Sequence, residues 1–190
     1  MDMFEGVGRR LDQKSGTVVN IGQNSLNGYE RKVLFRNNGD GTFTDVAFVN
    51  GADRPEDGRG LSVFDYDRDG QLDLLIRNFR QPAVLLHNQG HSGHWLQLKL
   101  VGVRSNRDAV GARVRIRTDA GLQSRSVTAG SAYLSGSSLV QHFGLGPAAR
   151  VATVDIDWPS GARTHLQDVP ADHRYTMVEG VESLVSAASR

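Results

Sequence analysis

Residues 58–78 read GRGLSVFDYDRDGQLDLLIRN, and the nine residues from Asp65 to Asp73 at their centre decide how the chain is read. Carboxylates stand at positions 1, 3, 5 and 9 of that run, as Asp65, Asp67, Asp69 and Asp73, with Gly70 at position 6. Calcium takes six to eight oxygens at about 2.3–2.6 Å, from carboxylates, backbone carbonyls and water. A tight loop with alternate residues turned inward supplies such a set. Gly70 permits the sharp reversal, and Gln71 stands where a backbone carbonyl completes the shell. Without a cation the four carboxylates repel one another, and Arg68 offsets only one of them. The spacing therefore predicts a Ca2+ loop with Asp65, Asp67, Asp69, Gln71 and Asp73 as ligands. Magnesium fits less well, because it keeps its waters and uses one or two carboxylates. An EF-hand is excluded: position 12 is Ile76, where that motif needs a bidentate glutamate.

Outward from the loop, both flanks read as strands, and so does most of the chain. Period-2 runs bounded by Gly, Asn, Asp or Pro recur at 17–21, 33–36, 42–48, 60–65, 72–77 and 84–87. They continue at 95–101, 112–118, 122–128, 139–143, 151–158, 163–167 and 174–178. This is the pattern of antiparallel sheet. In 112–118, Val114 and Ile116 point to a core, while Arg113, Arg115 and Arg117 point to water. Trp158 is in phase with Val154 and Ile156, so it is expected in the core, with Asp155 and Asp157 facing outward. VLFRNNG at 33–39 recurs as VLLHNQG at 84–90, and a repeat of this length in an all-β chain points to propeller blades. The first copy runs on into a hairpin; the second does not. A boundary is expected near residues 88–93.

The chain has 190 residues, 22 of them glycine, and no cysteine, so there is no disulfide framework and no thiolate metal site. A formal net charge of +1 makes nucleic acid an unexpected partner. No apolar run reaches the length of a transmembrane helix, and with no apolar stretch among the N-terminal residues a signal peptide is not expected in them. No nucleophile elbow exists, and Ser131, Ser135 and His142 form no recognisable triad, so no catalytic residues are expected. His87, His91 and His94 have metal-like spacing for a helix, but Gly90 and Gly93 argue for a junction instead.

LFRNNGDGTFTDV at 34–46, followed by residues 58–78, resembles one FG-GAP/VCBS-type repeat. That resemblance implies a blade of an integrin-like propeller with a calcium loop, which Asp65, Asp67, Asp69, Gln71 and Asp73 match position by position. The C-terminal half resembles the ASPIC/UnbV domain, which follows such repeats in the cartilage-acidic-protein family. The matching pieces are Ser105-Asn106-Arg107 with Gly111, Gly130 with Tyr133 and Ser135, HFGLG at 142–146, and Trp158-Pro159-Ser160-Gly161. The resemblance implies extracellular, periplasmic or cell-surface proteins with binding roles. From the residues alone, Pro159-Ser160-Gly161 reads as a hairpin turn, Asn106 and Asp108 as braces of a loop, and Gly144 and Gly146 as a bulge.

The expected fold is all-β: a propeller-blade-like antiparallel hairpin unit with a calcium loop, then a β-sandwich of jelly-roll kind. The divisions are an arm at 1–30, one repeat at 31–90, a sandwich at 91–180 and a tail at 181–190 that is helical or frayed. A closed propeller needs at least four blades, more than this length holds. The repeat is thus expected to pack on the sandwich, pair with another copy, or belong with upstream blades. The leading function is a non-enzymatic, calcium-stabilised recognition or adhesion module with a protein or glycan ligand. One alternative is a carbohydrate- or polyanion-binding module using Tyr133 and the Arg113, Arg115 and Arg117 stripe. Residues 91–150 support that, with seven Arg and one Lys against two Asp. A self-assembling structural subunit is the other alternative.

Overall fold

Alternation of apolar and polar residues, broken by glycine and Asx turns, yields strands and no helix among the described residues. The computed structural model describes residues 9–11, 18–20, 30–90, 93–130, 133 and 135–186, with the backbone alone at 9–11, 18–20 and 186. Most of the expected arm, His91 and Ser131 lie outside the described residues. The chain divides into two compact units: residues 1–59 with 77–84, and residues 60–76 with 85–190.

In the first unit, β1 (Arg9–Leu11) pairs antiparallel with β2 (Val18–Asn20). β3 (Phe35–Asn37) pairs with β4 (Phe43–Asp45) in the register Phe35↔Asp45 and Asn37↔Phe43. The turn between them is built from side chains. Asn37 Oδ1 accepts the Gly39 N–H at 2.8 Å, and Asp40 Oδ1 accepts the Thr42 N–H at 2.9 Å. Gly39 and Gly41 take φ of +83° and +87°, which a β-carbon disfavours. Val46 N–H still reaches Leu34 O across the hairpin, but Asp45 Oδ1 accepts the Ala47 N–H at 2.9 Å and Asn50 N–H bonds Val46 O, so the chain turns and the strand expected through residue 48 ends at Asp45.

β5 (Gly58–Phe64), β6 (Asp73–Asn78) and β7 (Val84–Leu86) form a three-stranded sheet in that order. The Asp65–Asp73 run is the connection from β5 to β6. In the second unit two four-stranded sheets face one core. One has the order β10 (Gly121–Ser126), β9 (Arg113–Thr118), β12 (Arg150–Asp157), β13 (Arg163–Pro170). The other has the order β11 (Gln141–Gly146), β8 (His94–Val101), β14 (His173–Val178), β15 (Val185–Ser186).

The core is what the alternation dictates. Leu96, Leu98 and Leu100 of β8, Val114 and Ile116 of β9, Phe143 of β11, Val154 and Ile156 of β12, and Met177 of β14 form one buried cluster. Trp158 joins it and donates Nε1–H to Thr164 Oγ1 at 2.9 Å, so its polar atom is satisfied. The hairpin turn after Trp158 forms as expected: Gly161 N–H bonds Trp158 O at 2.9 Å with Gly161 at φ +88°. Asn106 braces its loop through both amide atoms to Val110, and the β11–β8 register shifts between Gly144 and Gly146.

Two expectations are corrected. β14 pairs parallel with β8, although the pattern suggested antiparallel sheet throughout. The chain between these strands builds the whole opposite sheet. No hairpin ties them, and a long crossover permits parallel pairing. Residues 185–186, expected to be helical or frayed, add an edge strand to β14 through Thr176↔Val185.

Candidate metal centre

The β5–β6 connection is held by its own carboxylates. Asp65 Oδ1 accepts the Arg68 N–H at 2.7 Å, and Asp65 Oδ2 accepts the Gly70 N–H at 3.0 Å. Asp67 Oδ1 accepts from Asp69 N–H at 3.3 Å, and Asp69 Oδ1 from Gln71 N–H at 2.7 Å. Asp73, only 1% exposed, closes the loop by accepting from Tyr66 N–H at 3.0 Å and from Asn88 N–H at 2.9 Å. Gly70 has φ +87°, and a methyl group there would sit 2.0 Å from Trp95 Nε1, so the indole occupies the space a side chain would need.

This geometry brings Asp65, Asp67 and Asp73 together: each offers an oxygen within 4.8 Å of the others. Asp69 instead groups with Asp67 and His87 within the same limit. His87 Nε2 is 3.2 Å from Asp67 Oδ2, and its ring stands edge-on to Tyr66 at 5.1 Å. Gln71 is buried at the inner side of the loop. Among the described residues no lysine or arginine pairs with any of the four loop aspartates, and His87 is the one basic side chain that meets them. An all-oxygen set, partly buried and without a protein cation, fits a hard divalent ion.

β8 closes the loop from the other side. Gln97 Nε2 donates to Asp65 Oδ2 at 2.7 Å, and lies 3.5 Å from His142 Nδ1 on β11. Asp65, Gln97, His142 and Arg174, with Leu72, Ser138 and neighbouring apolar side chains, line a cavity of about 30 Å³, the size of one water. Burial pushes His142 below the ordinary imidazole range, against the pull of the Asp65 carboxylate and with a further push from Arg125. His94 pairs with Asp172 at 2.6 Å, so His87 and His94 serve separate contacts and build no shared site.

The arginine stripe lies on the outer face of the β10-β9-β12-β13 sheet. Arg115 meets Asp157 at 2.8 Å, and Arg163 reaches the same carboxylate at 3.3 Å. Asp155 is held by His165 at 2.7 Å. Arg113 and Arg117 are exposed and make no ion pair among the described residues. Tyr133 is 72% exposed, and no described hydrogen bond or ring contact joins it to the arginines. Its neighbours Ser135 and Ser137 instead accept N–H groups of Leu61 and Val63 on β5.

An FG-GAP-like repeat profile matches residues 17–76, and an ASPIC and UnbV profile matches residues 102–184. The chain joins an FG-GAP-like repeat to an ASPIC/UnbV domain. It is 33% identical to cartilage acidic protein 1 of Mus musculus over 135 residues, covering 68% of this chain and 21% of that protein. The Homo sapiens protein of the same name gives 33% over 135 residues and 20% of its length. The Xenopus tropicalis protein gives 35% over 121 residues, 60% of this chain and 18% of its own. The chain thus spans about one fifth of the relatives it matches.

The repeat contains the whole β5–β6 connection. Inside the ASPIC/UnbV domain, a second carboxylate site escaped the sequence reading. Glu179, 5% exposed, receives the N–H groups of Val103, Arg104 and Ser105 on Oε2, each at 2.8 Å. Its Oε1 accepts from Ser105 Oγ at 3.0 Å and from Ser160 Oγ. Burial alone would raise its pKa, but these hydrogen bonds outweigh it and hold the carboxyl at about 2. The clasp ties the Ser105-Asn106-Arg107 loop and the Trp158-Pro159-Ser160-Gly161 turn to the end of β14. Its signal in the sequence is two serines in glycine-bearing turns and one acid after an apolar strand, a pattern common on any surface. Gln97 and Trp95 were missed as partners of the loop for another reason. β8 lies at 94–101, between the two matched regions, and its Leu alternation drew attention to the opposite face.

Proposed function

We propose that this chain is a non-catalytic recognition module of extracellular or cell-surface setting, stiffened by calcium in the β5–β6 connection. The observation that carries this reading is the convergence of Asp65, Asp67 and Asp73 with no lysine or arginine paired to them among the described residues. Asp65, Asp67 and Asp73 would hold the ion, with Asp69 and Gln71 as neighbouring donors. When bound, calcium supplies charge neutralisation and nothing more is asked of it. The loop's backbone N–H groups pre-orient the carboxylates, and Trp95 fixes the turn at Gly70. The relatives are named for cartilage, which suits an extracellular setting. Recognition rather than catalysis is also favoured by how the acidic candidates are used. Asp155 and Asp157 are engaged by His165, Arg115 and Arg163 on a sheet face.

Thermal melting with calcium and with chelator tests the calcium reading. The melting temperature rises with calcium, and the rise is lost in Asp67→Ala. Superimposable curves under the two conditions would overturn it.

A second reading has one observation in its favour: Arg113 and Arg117 stay exposed and uncompensated on either side of the paired Arg115. Such a row suits an anionic polymer. Retention on a heparin column should then drop to lower salt in an Arg113→Ala/Arg117→Ala double variant. Equal elution of variant and parent would count against it.

A further inference from the structure

We propose that Gln97 is a positioning residue of the metal loop, so that ion affinity is set in part by β8, a strand outside both matched regions. This rests on the calcium reading above and deepens it.

Along β8, Leu96, Leu98 and Leu100 enter the core, which leaves Trp95, Gln97 and Lys99 on the other face. Lys99 is exposed, but Gln97 is only 3% exposed. A buried amide is costly unless its hydrogen bonds are met. Gln97 meets that demand at one loop ligand, donating to Asp65 Oδ2 at 2.7 Å. Asp65 is thereby gripped from two sides. The loop's own backbone holds it through Arg68 and Gly70, and β8 holds it through Gln97. Two residues earlier on the same face, Trp95 covers Gly70. β8 therefore touches both the first carboxylate of the loop and its reversal point.

The position of Gln97 is itself fixed. It sits in the central row of its sheet, paired with His142 on β11 and Arg174 on β14. Both neighbours border the same small cavity beside Asp65. Outer partners that orient a ligating carboxylate typically change metal affinity by about 10–100-fold when removed. By linkage, an ion that pulls on Asp65 stabilises β8 in return.

The test is calcium titration calorimetry on the full chain, comparing the parent with Gln97→Met and Gln141→Met. Gln141 is another buried glutamine, 8% exposed, on the adjacent strand, bonded to Leu139 O and not to the loop. Gln97→Met should weaken calcium binding about tenfold, while Gln141→Met leaves affinity unchanged whatever it does to the melting temperature. Tryptophan emission gives an independent readout. It should change with calcium in the parent, with the calorimetric midpoint, and not in Trp95→Phe. Where Gln97→Met does not fold, Gln97→Asn, which withdraws the amide by one methylene, carries the same expectation. Equal affinity in parent and Gln97 variants overturns the proposal, as does an equal loss in Gln97→Met and Gln141→Met. A parent that binds no calcium at all overturns the calcium reading first.

Discussion

Two of the places where this molecule holds carboxylates with several backbone N–H groups come out differently. At Glu179, three successive N–H groups and two serine hydroxyls converge on one charge. At the β5–β6 connection, a comparable supply of N–H groups is spread over four aspartates. In the first case donors saturate the anion, and the result is a permanent clasp. In the second, the same kind of donor is shared among four negative charges, and the result is an acidic cluster that could hold a metal ion. The ratio of donors to charge, not the presence of acid, separates a structural carboxylate from a ligand.

The strongest way to break this contrast is at the loop's reversal. Gly70→Ala puts a methyl group into the Trp95 indole at a φ that disfavours it. Overpacking and backbone strain together are expected to cost about 2–4 kcal/mol, and calcium binding should be lost with it. Chemical denaturation with and without calcium measures both, and a variant of parental stability would show that the indole yields. Next in size is the ion itself. At a free concentration about 100 times its Kd, calcium should add about 2.7 kcal/mol. Glu179→Gln should keep that full increment, because the clasp is independent of the ion.

The clasp has its own signature in pH. The folded-state pKa of Glu179, about 2, lies below its ordinary value of 4.5. Its contribution is complete above about pH 5 and is lost as pH falls toward 2. Melting curves at low pH should therefore show the gap between the parent and Glu179→Gln closing through that window. A gap that stays constant from pH 7 to 2 would rule out a charge-dependent clasp. Ser105→Ala, which deletes one hydroxyl donor, should cost about 1 kcal/mol. The smallest effect is expected at His87, a half-exposed partner of Asp67. His87→Ala should shift calcium affinity by no more than about fivefold in either direction, the scale of one exposed contact, as read by the same calorimetry.

Much of this was legible from residue order, and the reasons are local. Val114 and Ile116 against Arg113, Arg115 and Arg117 declare one buried face, and both hydrophobics are fully buried. The Asp65–Asp73 spacing brings Asp65, Asp67 and Asp73 together because the loop is short, and Trp158 announces its burial by its phase. What stayed hidden was long-range. Nothing near Leu96 says that it lies beside His173 in a parallel pair. Nothing near Gln97 says that Asp65 is its partner, and Asp69 turns toward His87 although its spacing places it with the other ligands. Local pattern sets which face of a strand is wet; only the closed fold decides what covers the rest of it.

The parallel pairing of β8 with β14 also fixes an order of events in the cell. β8 is an inner strand of its sheet, yet its neighbour β14 lies 77 residues further along the chain, with His173 beside Leu96. At about 5–20 residues per second, β8 waits several seconds with a bare hydrogen-bonding edge after it is made. During that interval the β5–β6 connection is already complete and in reach of Trp95 and Gln97. A loop that takes calcium early, as proposed above, would hold the strand in place until its partner arrives, and refolding yield would then rise with added calcium.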